Sequence, residues 1–77
     1  MKELVELLTR SLVEYPDTTK IEEIFENNET VYYVHVDEKD LGRVIGKGGK
    51  IANSIRAIVK AAATKQKKNV FVKIVSN

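Results

Sequence analysis

Apolar residues recur along this chain at two different periods, and the alternation between them predicts the order of elements. Leu4, Val5, Leu7, Leu8 and Leu12 fall within a roughly 160° arc at 100° per residue, which predicts an amphipathic helix over residues 2 to 14. Pro16 ends it, because the residue before a proline is driven out of the α region, and Asp17, Thr18 and Thr19 continue the turn. The period then drops to 2. Residues 20 to 26 mix Ile21, Ile24 and Phe25 with glutamates in a strand of moderate pattern, and Asn27, Asn28 and Glu29 supply hairpin chemistry. Residues 30 to 36 form the clearest strand: Tyr32, Val34 and Val36 share one face, assigned to the core, and Val31, Tyr33 and His35 share the other.

Helical spacing returns after Asp37, a residue suited to cap a short helix with Leu41, Val44 and Ile45 as its apolar positions. Gly46 is expected to stop that helix as a residue that tolerates positive φ. Ile51, Ile55, Ile58, Val59 and Ala62 then mark one face of a longer helix beginning near Gly49. Residues 65 to 69 read as helix end and turn, and Val70, Val72 and Ile74 point inward from a last strand with Lys73 outward. The order is α-β-β-α-α-β, an α+β class with a three-stranded mixed sheet packed on helices. The hairpin pairs the first two strands antiparallel, and the two-helix crossover returns the third parallel to one of them.

Between the two later helices lies Val44-Ile45-Gly46-Lys47-Gly48-Gly49-Lys50-Ile51. Without side chains at Gly46, Gly48 and Gly49, a sugar-phosphate backbone can approach the main chain, and the start of the second helix adds partial positive charge. Lys47 and Lys50 add full charges. This segment resembles the signature of the KH domain, a single-stranded nucleic-acid module whose Gly-X-X-Gly loop clamps a short nucleotide run. Here that loop is Gly46-Lys47-Gly48-Gly49, and the element order is similar to the type II, prokaryotic arrangement of the fold. The resemblance covers essentially all of residues 1 to 77 and leaves no second module. It is similar in particular to a family of small bacterial single-KH RNA-binding proteins that act with a second KH-containing protein.

The resemblance implies roles for individual residues. Gly46, Gly48 and Gly49 would permit close backbone approach, Lys47 and Lys50 would neutralise phosphates, and Arg43 would contact phosphate or sugar. Gly42 and Ser54 would line the groove. Ile45, Ile51 and Ile55 are either its apolar floor or plain core packing. Lys65, Lys67 and Lys68 either widen the electrostatic footprint or, the preferred reading, form a solvated helix end.

Charge sharpens the same picture. The net charge of +2 conceals a division: residues 1 to 40 carry eleven acidic and four basic side chains, a net −7, and residues 41 to 77 carry nine basic and none acidic, a net +9. The basic part contains the glycine loop, which points to a polyanionic partner.

Enzymatic readings fit poorly. A P-loop needs Gly-x4-Gly-Lys-Ser/Thr after a strand, whereas here Gly42 and Gly46 are one residue too close, Gly48 stands where the hydroxyl belongs, and a helix precedes. There is no Gly-x-Gly-x-x-Gly, and 77 residues cannot supply a dinucleotide-binding sheet. His35 is the only histidine and is assigned to a strand's outer face; Tyr33 on that face is read as structural, and Tyr15 and Tyr32 form no cluster with it. Asp37, Glu38 and Asp40 are explained as a cap and first-turn acids.

The expectation is a non-enzymatic protein without cofactor or metal that grips single-stranded RNA, or single-stranded DNA, as an RNA chaperone or post-transcriptional regulator. The alternative is a protein-interaction module with an inactive groove, in which acids or bulky residues would be expected in the loop. One clamp of about four nucleotides gives little affinity, so a homodimer or a second KH-containing partner is expected. A chain this short buries only about 60% of its unfolded surface, so stability should be modest. Cysteine is absent, consistent with a reducing compartment. Glu3 and Glu6 interrupt the start, and no uninterrupted apolar run is long enough for a bilayer, so the expected location is the cytoplasm, away from membranes.

Overall fold

The computed structural model describes residues 1 to 77, apart from the side chain of Lys47. Its elements are α1 (Lys2–Leu12), β1 (Lys20–Glu26), β2 (Glu29–Val36), α2 (Glu38–Ile45), α3 (Lys50–Lys65) and β3 (Asn69–Ser76), with 3₁₀ turns at Pro16–Thr18 and Lys47–Gly49. The α-β-β-α-α-β order is therefore present. The sheet order is β1-β2-β3, with β1 antiparallel and β3 parallel to the central β2. Asn27 and Asn28, at φ 51° and 63°, join β1 to β2 by a two-residue turn with both central residues left-handed, as a type I′ hairpin requires. No described helix is long and apolar enough to cross a membrane.

Strand alternation sends Tyr32, Val34, Val36 and Val72 under the helices, where they meet Val5, Val44, Ala52, Ile55 and Val59 in one core. Two helical faces are rotated from their expected positions. In α1, Leu7 is 65% exposed and Thr9 is buried; the threonine hydroxyl donates to the Val5 carbonyl at 2.7 Å and so needs no distant partner. In α3, Ala52 and Ala63 join Ile55 and Val59 in the core, while Ile58 is 45% exposed. α1 stops at Leu12, two residues before the expected end, and Val13 turns inward in an extended conformation. The core face of β2 is as expected, and Tyr33 and His35 lie on the opposite face beside Lys73 and Glu22.

Candidate nucleic-acid interface

α2 owes its position to two aspartates. Asp37 caps the helix, its Oδ1 accepting from the Lys39 amide at 2.9 Å. Asp40 does something the sequence reading missed. It is 1% exposed rather than a surface first-turn acid, and its two oxygens accept from the main-chain amides of Glu14 and Tyr15 at 2.8 and 2.9 Å. The end of α1 is thereby pinned to the start of α2. Arg43 adds a second tie, donating from Nη1 to the Leu12 carbonyl at 3.3 Å while its side chain stays at the surface.

The glycine loop follows at the other end of α2. Gly46 is extended, at φ −77° and ψ 175°, so positive φ is not its reason for being glycine. A Cβ there would collide with the Gly42 carbonyl oxygen; the requirement is close approach of two backbone segments. Gly48 and Gly49, at φ 76° and 70°, are the left-handed pair, and Gly49 N–H closes the turn on the Gly46 carbonyl at 2.9 Å. A Cβ on Gly48 would meet nothing within 4 Å, so this position faces open space.

The proposed contact residues divide into three groups. Gly42, Arg43, Gly46, Lys50 and Ile51 line one shallow cavity at the loop. Gly48 and Gly49 form the loop beside it, Ile45 is 52% exposed, and Ser54 is exposed with its hydroxyl turned back to the Lys50 carbonyl at 2.8 Å. Ile55 is fully enclosed and packs in the core, so it supports the floor from beneath and cannot touch a base. The role assigned to the Lys47 side chain lies outside the described residues.

A second groove, between α3 and the edge of β3, was passed over in the sequence. It is lined by Asn53, Arg56 and Lys60 from α3 and by Val70, Phe71 and Lys73 from β3, with Phe71 50% exposed. Asn53 Nδ2 donates to the Gly48 carbonyl at 3.3 Å, Arg56 Nη1 donates to Asn53 Oδ1 at 3.4 Å, and Arg56 Nε donates to the Val72 carbonyl at 3.3 Å. This relay fixes the loop relative to the sheet edge. Its sequence signal was the 53, 56, 60 spacing of polar and basic residues on one flank of α3. Neither cavity has an acidic lining residue. The combination suits a phosphodiester strand, with backbone approach and cations at the loop and an aromatic surface along the groove.

Comparison with known proteins agrees with this geometry. The KH domain of the KhpA/KhpB family matches residues 2–74. "RNA-binding protein KhpA" of Clostridium perfringens is 44% identical over 75 residues, covering 97% of this chain and 100% of that protein. The protein of the same name from Caldanaerobacter subterraneus subsp. tengcongensis is also 44% identical, over the same shares of both chains. That of Thermotoga maritima is 36% identical, over 97% of this chain and 99% of its own length. With the helix-loop-helix glycine turn, the mixed sheet and this full-length similarity in hand, the chain belongs to the KhpA/KhpB KH-domain family.

Proposed function

We propose that this chain binds short single-stranded RNA, held between the Gly46–Gly49 loop and the exposed edge of β3. The observation that carries the reading is the pair of left-handed glycines beside two cavities, one lined by Arg43 and Lys50 and the other by Arg56, Lys60 and Lys73, neither with an acid. The glycines let a phosphate reach the main chain, and the cations neutralise it and its neighbours. Bases then lie against Ile51 and Phe71. The relatives' names speak of RNA, and a ribose 2′-OH is the group by which such a groove would distinguish RNA from DNA.

A grip this short suits an RNA chaperone or post-transcriptional regulator acting without catalysis in the cytoplasm. A second KH-containing protein, or a second copy of this chain, would supply the further contacts that affinity needs. The deciding experiment replaces Lys47 and Gly48 together by aspartate, setting two negative charges where phosphate must approach. RNA affinity should fall at least about tenfold, as loss of two or more charge contacts implies. Melting temperature should fall only modestly, because Gly48 faces open space and its replacement bears only the left-handed penalty of about 1 kcal/mol. The control reverses Lys2 and Lys20, both exposed and remote in sequence, and should weaken binding much less. A loop variant that stays folded and binds like the parent would reduce Gly46–Gly49 to a helix-joining turn.

A further inference from the structure

Resting on that reading, we infer that a second nucleic-acid site lies at the far end of α3, where Phe25, Lys67 and Lys68 take the continuation of a strand whose first part sits at the glycine loop. A shallow cavity there is lined by Phe25, Asn28, Thr30, Lys67, Lys68 and Asn69. Phe25 is 69% exposed, the most exposed large apolar side chain described in the molecule. An aromatic ring in water among cations is costly for a structure to keep and useful to a base, which stacks on it irrespective of sequence.

Strand geometry keeps this patch basic despite acidic neighbours. Register aligns Phe25 with Thr30 and Val70, and Glu26 with Glu29 and Asn69. Val70 shares the inward side of β3 with buried Val72, so Phe25 and Thr30 lie on the helix side of the sheet, whereas Glu26 and Glu29 alternate onto the open side; Glu23, on the same side as Phe25, accepts from the Tyr32 hydroxyl at 2.7 Å and does not line the cavity. None of the three ion pairs among the described residues involves Lys67 or Lys68. Their charge is available to a ligand.

The two places are joined by α3 and the edge of β3. On α3, Asn53, Arg56, Lys60 and Thr64 fall on one flank at spacings of three and four, and Lys67 and Lys68 follow in the turn beyond the helix. The groove beside this flank opens at Val70 and Phe71, one residue beyond Asn69 of the second cavity. α3 has 16 residues, so at 1.5 Å per residue the patch lies about 24 Å along the helix from the loop. A strand that reaches both places is longer than one held at the loop alone. The second site therefore serves longer single strands and has a direction, since the loop lies at one end of the groove and Phe25 at the other.

The test compares a tetranucleotide with adenine-rich strands of about ten nucleotides extended from it on the 5′ side or the 3′ side, a length within the range of single-strand sites. Binding of the full chain is followed by fluorescence anisotropy. One extended strand should bind about tenfold tighter than the tetranucleotide, the gain expected from stacking one base. The other should gain little. Phe25→Ala and, separately, Lys67→Gln with Lys68→Gln should erase most of that gain and leave the tetranucleotide affinity unchanged. Equal gain from both extensions, no gain, or gain that survives Phe25→Ala would overturn the second site while leaving the loop reading intact. Absence of binding to every strand would overturn both.

Discussion

At the start of α2 a carboxylate lies sealed beneath the chain; at its end, a few residues on, a glycine loop opens to the surface. The first brings a negatively charged oxygen and main-chain N–H groups together, and under the proposed function the second would do the same with a phosphate. At the first, the protein supplies both partners: Asp40 accepts from the amides of Glu14 and Tyr15 and is closed off from water. At the second, the protein supplies two left-handed glycines and flanking cations, and the sequence beyond residue 40 contains no acid to answer them. A satisfied anion holds the fold at one end of α2, and at the other the proposed phosphate contact rests on a cationic turn whose cavity has no acidic lining residue.

The closed end of α2 depends most on Asp40. Asp40→Ala leaves two amides beneath the surface without their acceptor and should cost about 3 kcal/mol, because hydrogen bonds to a charged group are each worth about 1.5 kcal/mol or more. In a domain this small that corresponds to roughly 15 °C in Tm, read by circular dichroism. Asp40→Asn should recover little, since its NH₂ would face one of the amide donors. RNA affinity per folded molecule should remain within about twofold of the parent, because no hydrogen bond of Asp40 reaches the loop. Equal stability in Asp40→Ala would show that the pin between α1 and α2 is dispensable.

Asp40 also marks where sequence reading stops. Its partners lie 26 and 25 residues upstream and are main-chain amides, which have no residue identity to recognise. By contrast the hairpin at Asn27 and Asn28, the Asp37 cap and the glycine turn were legible because each is a local device in which residue type and backbone shape act on the same few positions. Thr9 took an apolar position in α1 because its hydroxyl is satisfied one turn back, a local bond that a count of apolar residues ignores. Ile55 was left between floor and core, and only packing of α3 on the sheet resolves it as core. Phe71 and Arg56 share a groove through a crossover that places β3 beside α3, a contact absent from either segment alone.

A smaller effect separates the glycines of the loop itself. Gly46→Ala must displace either the new Cβ or the Gly42 carbonyl, as no flexible side chain is available to give way. A cost of about 2 kcal/mol is expected, typical of overpacking, with some loss of binding as the loop shifts. Gly48→Ala meets open space and bears only the left-handed penalty of about 1 kcal/mol. If the two variants melt together, close approach at Gly46 is not what the position requires.

The smallest expected effect is also the cleanest measure of the open end of α2. If Arg43, Lys47 and Lys50 answer about three phosphates of a bound tetranucleotide, log K should fall against log salt with a slope of about −2, the single-strand counterion value for that many contacts. Raising salt fourfold should then weaken binding by roughly an order of magnitude, or about 1.5 kcal/mol. Removing Lys50 by Lys50→Gln should lower the slope by about 0.7, one phosphate's share. The melting temperature should not follow, because the charge at the closed end is held by short hydrogen bonds out of reach of the solvent's ions. A slope near zero in the parent would mean that the loop's cations do not meet phosphate, and the division between a satisfied and an unanswered end of α2 would lose its functional half.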